Sequence, residues 1–527
     1  MKVHAGARAR GYALRIIAVT ELRQRLRRTA TLVTLLVVMA LSWIMISDPA
    51  GGSTLLAVNH ARVLYTSSAL ALGTAGQTGM LFGLAGFYLL RGRAAQDLRS
   101  GVAGVIGASI DGGVLFVLGR WLGGVVYVSA LLVASMITVI LAHAVRGDGP
   151  IELLVYLPTY LLVFAPLVLF TASCATLFDN WAPLMGKRGD VLYFVVWMAQ
   201  LALLPQLMSG HAAPSAWLFD FTGLSGVLMA LSTQLDITHL SLGIADFDAA
   251  KAPLTLAPFP WTAQMAGMRL GTAALALLPL LPAIALFHRF SPDRVKPGRA
   301  RSRRSPLALI NGWLRPLSGL CQPAFALAAR LPGPAGQVLA DATLTLAAAP
   351  AAIAVLLAAQ VAALVVGGQA LAPLLLGCVV FWGVMISELA TRDRDAHLAA
   401  MSAAVAGGAT RRYWRQLAAA CLLGLMFTGV AGVRVASRQP ELALALVVGL
   451  FALSALASVL GRCSGSARGF LVVLLCWLYV CVNAVRVPFV DAVGTNGAAN
   501  AASIAAWACA GLAAALAGHW FNRRESR

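Results

Sequence analysis

The apolar residues of this chain fall in blocks of about twenty, the length needed to cross a bilayer as a helix, and short polar or basic stretches separate the blocks. The blocks predict spans at 30–47, 70–90, 121–143, 152–176, 191–210 and 265–288, then at 350–367, 371–389, 417–436, 441–461, 469–487 and 500–520. This is the pattern of an all-α polytopic membrane protein with about twelve transmembrane helices. Ahead of the first span, Leu14, Ala18, Leu22 and Leu26 recur at four-residue intervals, with Arg15, Arg23, Arg25, Arg27 and Arg28 as polar neighbours. Such a helix lies along the membrane surface, its apolar stripe in the acyl boundary and its arginines anchored among lipid phosphates.

The segment 289–335 interrupts the pattern halfway. It opens with RFSPDRVKPGRARSRRSP, carries seven basic residues between 289 and 304, and has the proline, glycine and charge of a cytoplasmic linker. The chain thus divides into a surface helix (1–29), a six-span half (30–288), the linker (289–335) and a second six-span half (336–527). Residues 336–349 predict another, weakly charged surface helix. In each half the second span runs into a charged cluster, a small-residue helix, a polar turn and an arginine-led third span. The copies are FYLLRGRAAQDLRSGVAGVIGASIDGGVLFVLGRWLGG (87–124) and ISELATRDRDAHLAAMSAAVAGGATRRYWRQLAAACLLG (386–424). Both run in the same sense, so the repeat is parallel. Of the segments on the other side, 211–264 is the longest, with Pro214, Pro253, Pro258 and Pro260 and a short helix expected near 222–231.

Charge then orients the spans. With the N-terminus inside, the inner segments hold 33 of the 40 basic residues; only Arg62, Arg146, Lys251, Arg269, Arg434, Arg438 and Arg486 remain. Positive loops stay in the cytoplasm, which puts both ends there. A mean hydropathy of +0.81 excludes a soluble globular class. The net charge of +20 sits in short loops between spans, so it reports topology and not a nucleic-acid partner. High alanine, glycine and arginine with little lysine point to a GC-rich bacterial genome. The first apolar stretch has a long basic flank and no small-residue cleavage site, unlike a signal peptide.

Candidate chemistry is sparse. The eight cysteines show no CxxC spacing and read as small buried hydrophobes. The one Gly-Lys pair, Gly186-Lys187, lacks a glycine five positions earlier and is followed by Arg188, so no phosphate-cradling loop exists and no cofactor is expected in this chain. His60, His211, Asp220, Asp236, His239, Asp246 and Asp248 have no metal-ligand spacing and read as solvated loop; Met208, Met229, Met265 and Met268 read as packing. Spans nearly free of carboxylates argue against ion coupling at mid-membrane.

At residues 12–28, 91–119 and 211–264 the chain resembles the permease subunits of ABC-2-type exporters. That family has an amphipathic elbow helix before the first span, a cytoplasmic coupling helix between the second and third, and an outer hydrophobic segment between the fifth and sixth. Residues 336–349 and 388–414 resemble the first two parts again, so the likeness covers nearly the whole chain. The resemblance implies a non-enzymatic permease of a bacterial inner membrane, moving an unidentified substrate. Two copies of a separate ATPase subunit would bind ATP and Mg2+ and dock on the cytoplasmic face. The implied contacts are Arg91, Arg93, Asp97 and Arg99 in the first half, and Glu388, Arg392, Asp393, Arg394 and Asp395 in the second. The second half departs from the pattern: its outer segment (488–499) is short and its elbow nearly uncharged, which implies an asymmetric pair of halves. The alternative is an ion-coupled secondary transporter with the major-facilitator 6+6 plan. Its loop motif is only partly echoed, by Gly92 and Asp97 at the wrong spacing.

Overall fold

The computed structural model describes residues 2–49, 52–108, 113–208, 214–237, 239–287, 312–392, 408–437, 439–464, 466–483 and 487–525. The chain is a predominantly helical multi-pass membrane protein, and it separates into two compact units, Met1–Gly298 and Arg299–Arg527.

In the N-terminal unit, α1 (Lys2–Leu26) bends by 76° into α2 (Thr29–Met45). That angle suits a helix lying on a membrane followed by one entering it. The chain continues through α3 (Ser67–Leu90), the short helices α4 (Arg93–Arg99) and α5 (Val102–Ala108), then α6 (Gly113–Arg146), α7 (Leu153–Asn180) and α8 (Lys187–Met208). The expected helix near 222–231 is α9 (Leu224–Ser232), and α10 (Ala263–Leu275) with α11 (Leu280–Leu286) completes the unit.

Helix α3 is the axis of this unit, with nineteen of its 24 residues buried. Glycine makes that possible. A Cβ at Gly79 would lie 2.8 Å from the Thr222 carbonyl oxygen, and one at Gly83 would lie 3.1 Å from the Trp197 ring. In a membrane, where apolar burial gains little over lipid, such close backbone approach supplies dispersion energy. The polar groups of α3 are met as well: Thr74 and Tyr160 share a 2.8 Å hydrogen bond, and Tyr193 donates to the Gly83 carbonyl at 2.6 Å.

One element departs from the all-helical reading. Strands β1 (Ser53–Val58), β2 (Ala61–Arg62) and β3 (Leu240–Asp246) form an antiparallel sheet in the order β2-β1-β3. The sequence reads both stretches as connecting segments because each strand is short and its ladder partner lies far away in the chain. The β1–β2 turn places Asn59 and His60 at φ 51° and 66°, the left-handed pair that a two-residue hairpin requires.

The C-terminal unit starts with α12 (Gln322–Arg330) and α13 (Gly333–Ala347), which bends by 102° into α14 (Pro350–Val365). Pro350 opens the new helix because it cannot continue the old one. Then come α15 (Gly368–Ile386), α16 (Gly408–Ala436), α17 (Pro440–Ser464), α18 (Arg468–Asn483) and α19 (Ala501–Glu525). Trp382, Phe427, Phe470, Val379 and Leu423 are fully buried at its centre, and Trp382 donates its indole N–H to the Ala420 carbonyl at 2.9 Å.

Every expected span coincides with a helix. Among the described residues, six are long and apolar enough to cross a membrane by themselves, or eight if each bent pair counts as one span. Ala370–Ile386 and Arg468–Val482 are apolar but shorter, and α3 has the length while its glycine, serine and threonine lower its apolarity.

Candidate functional site

Charged side chains converge where α3 ends, α4 begins, and α1, α6, α7 and α8 come together. The loop geometry starts at Gly92, whose φ of 91° lets the chain turn sharply from α3 into α4. That turn points the Gly92 and Arg93 N–H groups at the Asp179 carboxylate near the end of α7, at 3.0 and 2.9 Å. Arg91 has no exposed side-chain surface. It pairs with Asp179 at 2.5 Å and with Asp190 on α8 at 3.1 Å, and donates to the Leu184 carbonyl at 2.6 Å. One guanidinium therefore ties α3 to α7 and α8. Tyr88 adds a 2.6 Å hydrogen bond to the Asp190 carbonyl.

A second cluster adjoins it. Buried Glu21 on α1 pairs with Arg25 at 2.9 Å, with Arg93 at 3.1 Å and with Arg120 on α6 at 3.7 Å. Arg120 also pairs with Asp97 on α4 at 2.6 Å. Arg25 donates to the last carbonyls of α3, Leu89 and Leu90, at 3.0 and 3.2 Å. Cations at a helix C-terminus meet unsatisfied carbonyls and the negative end of its dipole. Burial alone would raise the Glu21 carboxyl, but Arg25, Arg120 and Arg93 hold it below its ordinary value. Burial lowers the Arg25 guanidinium, against the pull of Glu21. A cavity of about 40 Å³ lies among Glu21, Arg25, Arg93, Arg120, Trp121 and Asp179, large enough for water.

Of the expected surface anchors, Arg15, Arg23, Arg27 and Arg28 are exposed, while Arg25 turns inward. Arg28 also donates to Gln96. Of the expected partner contacts, Arg91, Arg93 and Asp97 are engaged within the chain, and the backbone of Arg99 closes α4. Glu388 is exposed and Arg392 half-buried, while Asp393, Arg394 and Asp395 lie outside the described residues. Among the described side chains of α4–α5, the exposed ones carry no charge: Gln96, Ser100, Gly101, Val102, Gly104, Val105 and Ala108, with Val105 72% exposed.

The corresponding end of the C-terminal unit is built differently. Arg415 on α16 pairs with Asp341 on α13 at 2.6 Å, matching Arg120 with Glu21 in the elements it joins. Buried Arg462 on α17 donates to Asn522 on α19 at 2.6 Å and to Gln416 on α16 at 2.9 Å, and its guanidinium sits 5.0 Å from the Tyr413 ring centre.

Sequence reasoning missed Glu21, Asp179, Asp190, Asn522 and the inward role of Arg462. A signal existed for two of them: Glu21 is the one acid in residues 1–47, and Asp179 the one acid in 153–189. A lone carboxylate beside basic clusters at a span end marks a partner.

On the opposite side, Asp220 does not face solvent. Its carboxylate accepts the Gly223 and Ser225 N–H groups at 3.0 Å each and caps α9, while Arg269 donates to the Asp220 carbonyl at 2.7 Å. His60 and His239 stack with ring centres 4.8 Å apart, and His211 lies outside the described residues. Among the described residues, no three His, Cys, Asp or Glu side chains gather as a metal site would require, and the cysteines are all free. The basic end offers no nucleophile paired with a base. What it does is hold six helices together, through two adjoining ion-pair clusters that the Arg93 backbone N–H links at Asp179. Compared with known proteins, the chain matches no family model, no curated protein and no solved structure.

Proposed function

We propose that the chain is the membrane-spanning permease subunit of an ABC-2-type exporter in a bacterial inner membrane. Both ends are cytoplasmic, and twelve crossings form two parallel halves. One observation supports the reading: the α4–α5 hairpin is tied at once to α1 and α6 by ion pairs and to α7 by a hydrogen bond from the Arg93 backbone N–H to Asp179. A push on that hairpin moves these helices together, which is how a subunit without a phosphate-binding loop can use hydrolysis performed elsewhere. The partner is a separate ATPase, two copies per complex, binding ATP and Mg2+. The engaged state of Arg93 and Asp97 favours a docking face beside them over one made by their charges. Arg93 and Asp97 stand behind the surface as struts, and the contact face is the uncharged Val102–Val105 edge of α5. Glu388 and Arg392 start the corresponding stretch in the other half.

The test is purification of the tagged chain from its native membrane, with ATPase activity measured on the eluate. Replacing Val102→Glu and Val105→Glu is expected to weaken ATPase retention by about tenfold or more, since charge at the centre of an interface is costly. Asp97→Asn is expected to keep the partner but reduce vanadate-sensitive hydrolysis. Recovery of the chain alone, from a membrane whose other ABC complexes survive the same detergent, defeats the reading.

A further inference from the structure

We infer that residues 312–331 form an interfacial surface that binds an anionic lipid leaflet. Apolar side chains here stay exposed among the described residues. Trp313 is 84% exposed, and Leu320 and Leu327 follow at seven-residue spacing, with Leu331 four residues further and all three exposed. Leu320, Leu327 and Leu331 follow the α-helical spacing of α12 and its flanks and share one face, and Trp313 stands exposed ahead of the 3-10 turn Arg315–Cys321 that leads into it. The opposite side is packed. Cys321 and Ala328 are buried, and Cys321 joins Ala342 and Leu346 of α13 in the core of the unit.

The orientation follows from α13. It meets α14 at 102°, so when α14 crosses the bilayer α13 lies close to the membrane plane. Helix α12 returns alongside α13 through the two-residue turn Leu331–Pro332 and lies at the same depth. An apolar row at that depth faces acyl chains, and a tryptophan at its edge is at home among headgroups.

Charge selects the lipid. Arg315 and Arg330 are exposed at the two ends of the row, and no acidic residue occurs from 294 to 340. A soluble protein docking here would have to match a cationic rim around a tryptophan row already at membrane depth; a phosphodiester surface matches both. The proposal does not rest on the export reading, and loss of ATPase association leaves it standing.

The test is hydrogen–deuterium exchange on the full chain in nanodiscs of phosphatidylcholine, with and without phosphatidylglycerol. Peptides from 312–331 are expected to exchange more slowly in the anionic bilayer, by roughly thirtyfold if each of the two arginines acts independently. Trp313→Glu with Leu327→Glu should abolish that protection while peptides from 440–464 stay protected, which separates loss of contact from loss of fold. Arg315→Gln with Arg330→Gln should keep the protection and remove its dependence on phosphatidylglycerol. Fast exchange of 312–331 in both bilayers overturns the proposal. So does protection that is indifferent to lipid charge and to the two glutamates, the result a protein partner would give.

Discussion

The two units each anchor helices at the basic end with a buried arginine, and different groups help to hold it in each. In each, a buried arginine bridges helices that would otherwise separate. Arg91 is answered by two carboxylates, Asp179 and Asp190, whereas Arg462 is answered by the amides of Gln416 and Asn522 and by the Tyr413 ring. A paired buried charge is stiff, because removing either partner strands the other in low dielectric. A neutral amide acceptor contributes less to a buried guanidinium than a carboxylate does, so removing one costs less. The basic end of the N-terminal unit is therefore the stiffer of the two.

The sharpest way to break this contrast is to remove one acceptor from each arginine. Asp179→Asn is expected to cost about 3–5 kcal/mol, and Asn522→Ala about 1–3 kcal/mol. Thermal melts of the purified protein measure both, and segment-resolved exchange assigns each loss to its unit. Equal losses would mean that acceptor chemistry does not distinguish the units.

Comparison of the second spans comes next. In α3, Gly79 abuts a carbonyl, while Gly377 in α15 has no neighbour within 4 Å of a built Cβ. Gly79→Leu is expected to destabilise by about 1–3 kcal/mol through overpacking, and Gly377→Leu to fall within about 0.5 kcal/mol of wild type. A tolerated Gly79→Leu would show that α3 is not the tight axis of its unit.

The smallest effect concerns pH. The Glu21 carboxyl is held below its ordinary value of 4.5 in the folded chain. Its contribution is therefore fully present above that value and disappears as pH falls through the lower, folded one. Melting curves of wild type and Glu21→Gln should differ near neutrality and converge only below the ordinary carboxylate range. A constant difference at every pH would detach the effect from ionisation.

Much of the fold is legible in the sequence because lipid imposes a simple pattern: each apolar block of about twenty residues becomes a helix. A helix ahead of the first apolar block is legible too, as α1, though Ala18, Glu21 and Arg25 turn inward in the fold. The candidate site is legible by halves. Arg91, Arg93, Asp97 and Arg120 lie in the stretch that sequence reading marks, but their ion-pair partners do not show there, because sequence shows that charges are clustered and not which of them meet. Glu21 and Asp179 meet them from far along the chain. Helix α12 is hidden in a segment whose opening prolines and arginines read as linker, and the sheet is hidden because its strands are six, two and seven residues long.

That sheet also sets an order of events. β1 is complete at Val58, and its partner β3 begins at Leu240, after α3 to α9 have been made. At typical synthesis rates of about 5–20 residues per second, the β1 edge waits roughly 10–40 s for its mate. During that interval β1 has only the short strand β2 beside it, and its other edge stays open as a template for any extended chain nearby. Pairing with β3 then joins an early segment of the unit to a late one, so the sheet is the last-closing part of the fold that β1 belongs to.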